Sequence, residues 1–97
     1  MRAGLSTVRL LQHSISRRYG CRARLVGATR VVEVLSGHPV WESVVHEFDL
    51  RGRAIARRCY AWEEPWDVVT MLHGGSVDSA IEAVRISGRS NVLAAPA

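Results

Sequence analysis

The segment Val44-Val45-His46-Glu47-Phe48-Asp49-Leu50 alternates with a period of two, with Val44, His46, Phe48 and Leu50 on one side and Val45, Glu47 and Asp49 on the other. Successive side chains of an extended strand point to opposite faces, so this pattern predicts a half-buried strand. Arg51-Gly52-Arg53 follows as a glycine turn, and Ile55 to Trp62 reads as the return strand of an antiparallel hairpin. Glu63-Glu64-Pro65 makes the next turn and Trp66 to His73 the next strand. Short connections place consecutive strands side by side, which favours a meander.

Downstream, Gly74-Gly75 breaks the last strand. Ser76 is suited to cap a helix, and Asp78 would sit in its first turn, where a negative charge is favourable. Val77, Ile81 and Val84, spaced by four and three with Ala80 and Ala83 beside them, give the apolar stripe of a helix ending near Gly88. Residues 89–97 read as a frayed tail. Upstream, Arg30 to Leu35 is β-branched and reads as a short strand, stopped by a loop at Ser36-Gly37-His38-Pro39.

Farther upstream, Leu5, Val8, Leu11 and Ile15 recur at helical spacing, with Arg2, Ser6, Arg9, His13 and Arg17 on the other side and Gly20 placed to end the helix. A basic, acid-free amphipathic segment has three readings: a helix packed on the domain, an organellar targeting segment, or an arm for an acidic partner. Arg17-Arg18-Tyr19-Gly20 resembles the region before a mitochondrial processing site. The expected architecture is therefore α+β: an antiparallel three- to four-stranded β-meander followed by one C-terminal helix, with an N-terminal amphipathic helix or arm. The expected division is a basic amphipathic helix or arm over residues 1–28, an α+β domain over 29–88 and a flexible tail over 89–97.

A chain of 97 residues holds one hydrophobic core. Its 47% apolar content excludes a disordered composition. No apolar run approaches the roughly 20 residues that span a bilayer, and Arg9, Gln12 and His13 interrupt any secretory leader. A cytoplasmic location is expected, or a mitochondrial one if residues 1–20 are a targeting segment. Cys21 and Cys59 are too few for a disulfide framework and read as reduced thiols.

The net charge of +4 is unevenly distributed. Residues 1–32 carry seven arginines and no acid, whereas the remainder sets six arginines against nine carboxylates, a balance of −3. Phosphate recognition would therefore rest on Arg17, Arg18, Arg22 and Arg24 of the arm.

Five other constellations bear on chemistry. Arg58, Tyr60 and Trp62 share one face of their strand; if the C-terminal helix covers Cys59 and Ala61 instead, those rings lie open for bases or for a partner. Gly74-Gly75-Ser76 is a candidate anion-binding turn, although it lacks the lysine of a phosphate loop. His73 is a weak candidate general base, with Ser76 or Ser79 as nucleophile and His46 or Cys59 nearby. His46, Cys59 and His73 lack the paired spacing of a zinc signature, so no metal and no cofactor are expected. The acidic cluster Glu63-Glu64 with Asp67 is a solvated turn or a contact for the arginine arm of this or another chain.

Trp41-Glu42, His46-Glu47-Phe48-Asp49-Leu50, Arg58-Cys59-Tyr60-Ala61-Trp62 and Val77-Asp78-Ser79 with Ala83-Val84-Arg85 resemble a group of small uncharacterised bacterial proteins. The resemblance covers roughly the last 55 residues. It implies a bacterial intracellular domain and carries no activity. The sequence thus favours a non-enzymatic interaction module, a homodimer or one with a protein partner, acting through its sheet face. The alternatives are a nucleic-acid-associated regulatory or toxin-like module using the arm, and a small enzyme centred on His73. No membrane partner is expected.

Overall fold

The computed structural model describes residues 3–52 and 56–96, with side chains from Thr7 onward. It is an α+β protein: a five-stranded antiparallel sheet with one helix on each face. The elements run α1 (Ala3–Tyr19), β1 (Cys21–Leu35), β2 (His38–Gly52), β3 (Arg58–Glu63), β4 (Val68–Leu72), α2 (Ala80–Ile86) and β5 (Val92–Ala94). The sheet order is β4-β3-β2-β1-β5, so β1 to β4 lie side by side in chain order.

The alternation of Val44–Leu50 divides the two cores. Phe48, Leu50, Cys59 and Ala61 face α1 together with Leu11 and Ile15. Val8, Leu11, Ile15 and Tyr19, spaced by three, four and four, form the stripe that α1 lays on that face. The Gly20 amide bonds the Ser16 carbonyl at 2.9 Å, and its φ of +67° supplies the left-handed residue that ends the helix. Arg17 and Arg18 in the last turn complement the helix dipole.

On the opposite face, α2 covers Val31, Val45, Tyr60 and Trp62 with Ala80, Ala83 and Val84. Small residues on α2 let it approach the sheet closely over two large rings. Burying one large apolar side chain contributes about 1.5–3 kcal/mol, and Trp62, wholly inaccessible, is the largest such side chain here.

Several expectations are corrected. Strand β1 starts at Cys21 rather than Arg30 and pairs with β2 along its whole length, so no structural break falls at residue 28. Of the three readings of the basic N-terminal segment, the structure has the packed helix, with Leu11 and Ile15 buried in the core. The loop expected at residues 36–39 is a turn of Ser36 and Gly37, with φ of +52° and +79°, while His38 and Pro39 belong to β2. Positive φ at both central residues matches the twist of a tight hairpin. Alternation is broken in β1 because the register shift between Leu25 and Gly27 leaves Val26 as a bulge, while the shift opposite Glu33 and Val34 places the extra residue, Val40, in β2.

The tail is not frayed: β5 pairs with Val31–Glu33, and Val92 is buried. Helix α2 starts later than expected, because Ser79 rather than Ser76 caps it, accepting from the Glu82 amide at 3.2 Å. The expected turn at Arg53 and the start of the return strand at Ile55 lie outside the described residues, as does the side chain of Leu5.

Candidate functional site

The faces of β3 are covered in the reverse of the expected order. Helix α2 lies over Tyr60 and Trp62 and α1 over Cys59 and Ala61, leaving Tyr60 2% and Trp62 0% exposed. A C-terminal helix returning from β4 had two faces to choose from, and α1 had taken the one with small residues. The open aromatic surface expected at Arg58, Tyr60 and Trp62 is therefore absent. The Trp62 indole donates to Glu64 Oε2 at 3.1 Å, and the Tyr60 hydroxyl pairs with His73 Nδ1 at 3.0 Å. Burial pushes the Tyr60 phenol up from its ordinary pKa.

Arg58 is neutralised beyond the rings. Its guanidinium bonds Glu47 at 2.6 Å and Asp49 at 3.1 Å, and Arg24 bonds the other oxygen of Asp49 at 2.9 Å. The row Arg24, Asp49, Arg58 crosses three strands in register. Hydrogen bonds from Arg24 and then Arg58 hold the Asp49 carboxyl below its ordinary range. Arg24, expected to bind phosphate, and Arg58, expected to meet bases or a partner beside Tyr60 and Trp62, already have carboxylate partners; Arg30 likewise pairs with Glu42.

Two register steps farther, on the same face, Arg22 and Arg51 are direct cross-strand partners. Both are exposed, and neither has a carboxylate partner among the described residues. Like charges directly opposite each other destabilise a strand pair. They line a groove of about 620 Å³ with Ser16, Gly20, Cys21 and Gly52. Around the end of α1, exposed Arg17 and Arg18 line a second groove of about 470 Å³ with Leu10, His13, Asp67 and Thr70. The result is a set of exposed cations on both sides of the junction between α1 and β1: His13, Arg17 and Arg18 on α1, and Arg22 and Arg51 on the opposite face of the sheet, since their neighbours Cys21, Ala23 and Leu50 turn toward α1. Arg51 and His13 were not singled out in the sequence; pairing outward from the Ser36-Gly37 turn would have set Arg51 against Arg22.

The remaining sites dissolve. The amides of Gly74 and Val77 each bond the other's carbonyl at 2.9 Å, so Gly74-Gly75-Ser76 closes a tight turn instead of presenting its amides at a helix start. His73 belongs to the α2 face with Tyr60, whereas His46 and Cys59 belong to the α1 face, so the sheet separates the residues an enzyme centred on His73 would combine. Ser79 is occupied as a cap. Burial pushes the Cys59 thiol up to about 11, away from a reactive thiolate. Among the described residues no cluster of three His, Cys, Asp or Glu side chains could hold a metal.

The acidic turn is engaged within the chain. Glu64 accepts from Trp41, Trp62 and Arg89, Glu63 from Thr7, and Asp67 from the Val68 amide. No described helix is long and apolar enough to cross a membrane. Comparison with protein families, curated proteins and solved structures finds no match to this chain.

Proposed function

We propose that the protein is a non-enzymatic interaction module that docks an acidic protein partner on the exposed arginines at the end of the sheet where α1 runs into β1. The observation that carries this reading is the Arg22–Arg51 pair: two exposed guanidinium groups held opposite each other on adjacent strands, without a carboxylate among the described residues. A fold gains nothing from that juxtaposition alone, but an anion placed between the two groups would be bound by both. Arg17, Arg18 and His13 extend the positive surface, while Arg24 and Arg58 are quenched by Asp49 and Glu47.

Nucleic acid is the second reading, favoured by the sequence pI of about 10.0. It ranks below a protein partner because Tyr60 and Trp62, the rings that would stack bases, are buried. Self-association through the acidic turn ranks lower still, since its carboxylates already have partners in the same chain.

The test is a titration of the full chain with a polyglutamate peptide and with a single-stranded oligonucleotide of matched charge, at low and moderate salt. Saturable, salt-sensitive peptide binding is expected, weakened about tenfold in Arg22→Glu/Arg51→Glu. Tighter binding of the oligonucleotide would move the reading to nucleic acid. Absence of binding to either anion, or indifference to the substitutions, would end it.

A further inference from the structure

Both long edges of the sheet expose unpaired backbone, and they are protected very differently. The free part of β1, residues 21–29, carries Arg22 and Arg24 and the bulge at Val26, all devices that discourage a new strand. Strand β4, Val68-Val69-Thr70-Met71-Leu72, is the outermost strand on the other side. It pairs with β3 in unbroken register over its whole length and has no charge, no proline and no bulge.

The direction of its free groups follows from the ladder. The His73 amide bonds the Arg58 carbonyl at 2.9 Å, so His73 and, by alternation, Met71 and Val69 turn their backbone groups toward β3. Val68, Thr70 and Leu72 turn theirs outward. The Val68 amide is already taken by Asp67 at 2.7 Å. The outward groups of Thr70 and Leu72 meet no partner among the described residues.

A groove flanks this edge on each face. On the α1 side it is the one lined by His13, Arg17 and Arg18, with Thr70 at its floor tied to Tyr19 by a 2.9 Å hydroxyl contact. On the α2 side, a pocket of about 350 Å³ is lined by Trp66, Val69, Gly88 and the already paired Glu64 and Arg89. Trp66 is 80% exposed, the most exposed large apolar side chain described. The first groove is basic and the second offers an indole and a valine.

We infer that β4 is a docking edge for an extended segment of a partner protein, which adds as a sixth, antiparallel strand with alternating acidic and bulky apolar residues. Main-chain bonds to Thr70 and Leu72 hold the segment. Pockets for alternate side chains select it. In an antiparallel pair, residues that exchange hydrogen bonds project to the same face. The residues bonded to Thr70 and Leu72 therefore face α1, and these are the acidic ones; their neighbours face Trp66 and Val69. A second copy of this chain is a poor occupant, because pairing β4 with β4 would bring two sets of His13, Arg17 and Arg18 together. The inference rests on the reading of the protein as a module for acidic partners and names the form of the partner.

The probe is a fluorescein-labelled peptide of alternating glutamate and leucine matched in length to β4, followed by anisotropy with the full chain. N-methylation of the glutamate amides is expected to weaken binding about tenfold, since each strand bond is lost and not replaced. N-methylation of the leucine amides, which point to solvent, is expected to leave it within about twofold. Thr70→Pro, which removes an outward N–H, should match the first peptide, while Thr70→Ala, which removes only the Tyr19 contact, should bind as wild type. Equal or reversed sensitivity to the two methylation patterns overturns the strand addition. In that case, loss of binding in Arg22→Glu/Arg51→Glu would leave the module reading standing, whereas no binding of either unmodified acidic peptide retires both. Dimerisation in solution that Thr70→Pro abolishes also overturns the inference, because the edge is then occupied by a second copy.

Discussion

Arg89 bonds Glu64 at 3.3 Å while its guanidinium lies 4.0 Å over the ring of Trp41, so that the segment after α2 is clamped to the turn between β3 and β4. Glu64 is nearly buried and also receives the indole N–H of Trp62 and of Trp41. Glu64→Ala leaves the Trp62 donor without its partner and is expected to cost about 2–3 kcal/mol. Glu64→Gln keeps an acceptor and should cost roughly half as much. Urea unfolding of the two variants checks the order; equal, small losses would show that the turn is held by the backbone alone.

Leu11 is wholly buried between α1 and the sheet. Leu11→Ala is expected to destabilise the protein by about 2–4 kcal/mol. A helix acting only as a removable arm would tolerate the change, and the unfolding midpoint would not move.

His46 is 8% exposed, and its Nδ1 has no hydrogen-bond partner among the described residues. Desolvation lowers its pKa, opposed by weaker contributions from the backbone near Val44 and from Glu63. The proton thus binds the unfolded chain more tightly than the folded one. Stability is complete above the unfolded value of 6.5 and is lost as pH falls below it. His46→Leu should remove that acid sensitivity, which unfolding midpoints measured from neutral pH down to about 5 would reveal.

The Cys59 thiol, raised to about 11 by burial, has the opposite sign in pH. Its contribution is present below the unfolded value of 9.0 and fades as pH rises through the folded one. At neutral pH, labelling by a thiol reagent should proceed only as fast as the protein opens. Rapid labelling of Cys59 in the native protein would contradict its packing.

Arg51→Glu separates stability from binding. The substitution turns a repulsive cross-strand pair with Arg22 into an attractive one and should raise stability by about 0.2–1 kcal/mol. The same change is expected to weaken polyglutamate binding. A variant that is both more stable and a better binder would show that the pair is not part of the docking surface.

What could be read in the sequence was whatever local periodicity controls. Val44–Leu50 alternates cleanly because each of its residues faces either a covering helix or a row of charges, and the stripe of α1 is equally regular. The first part of β1 is illegible because its bulge at Val26 shifts the phase, and because Leu25 and Val26 are exposed while Arg22 and Arg24 interrupt the apolar pattern. Tyr60 and Trp62 were assigned to the right strand and given the wrong surroundings: which helix covers which face depends on packing between distant segments, and period two is blind to it. The binding surface was half legible. Arg17, Arg18 and Arg22 stand out by composition, but Arg51 acquires meaning only from its register partner, and β4 only from its place at the edge.

The pairing of Val31–Glu33 with Val92–Ala94 joins segments some sixty residues apart. During synthesis, β1 and β2 can zip as soon as both have emerged, yet the outer flank of β1 and the clamp on Glu64 wait until residues 89–94 have also emerged. Until then the nascent chain displays raw strand edges on both sides of its sheet, and that interval is when it is most exposed to mispairing with its neighbours.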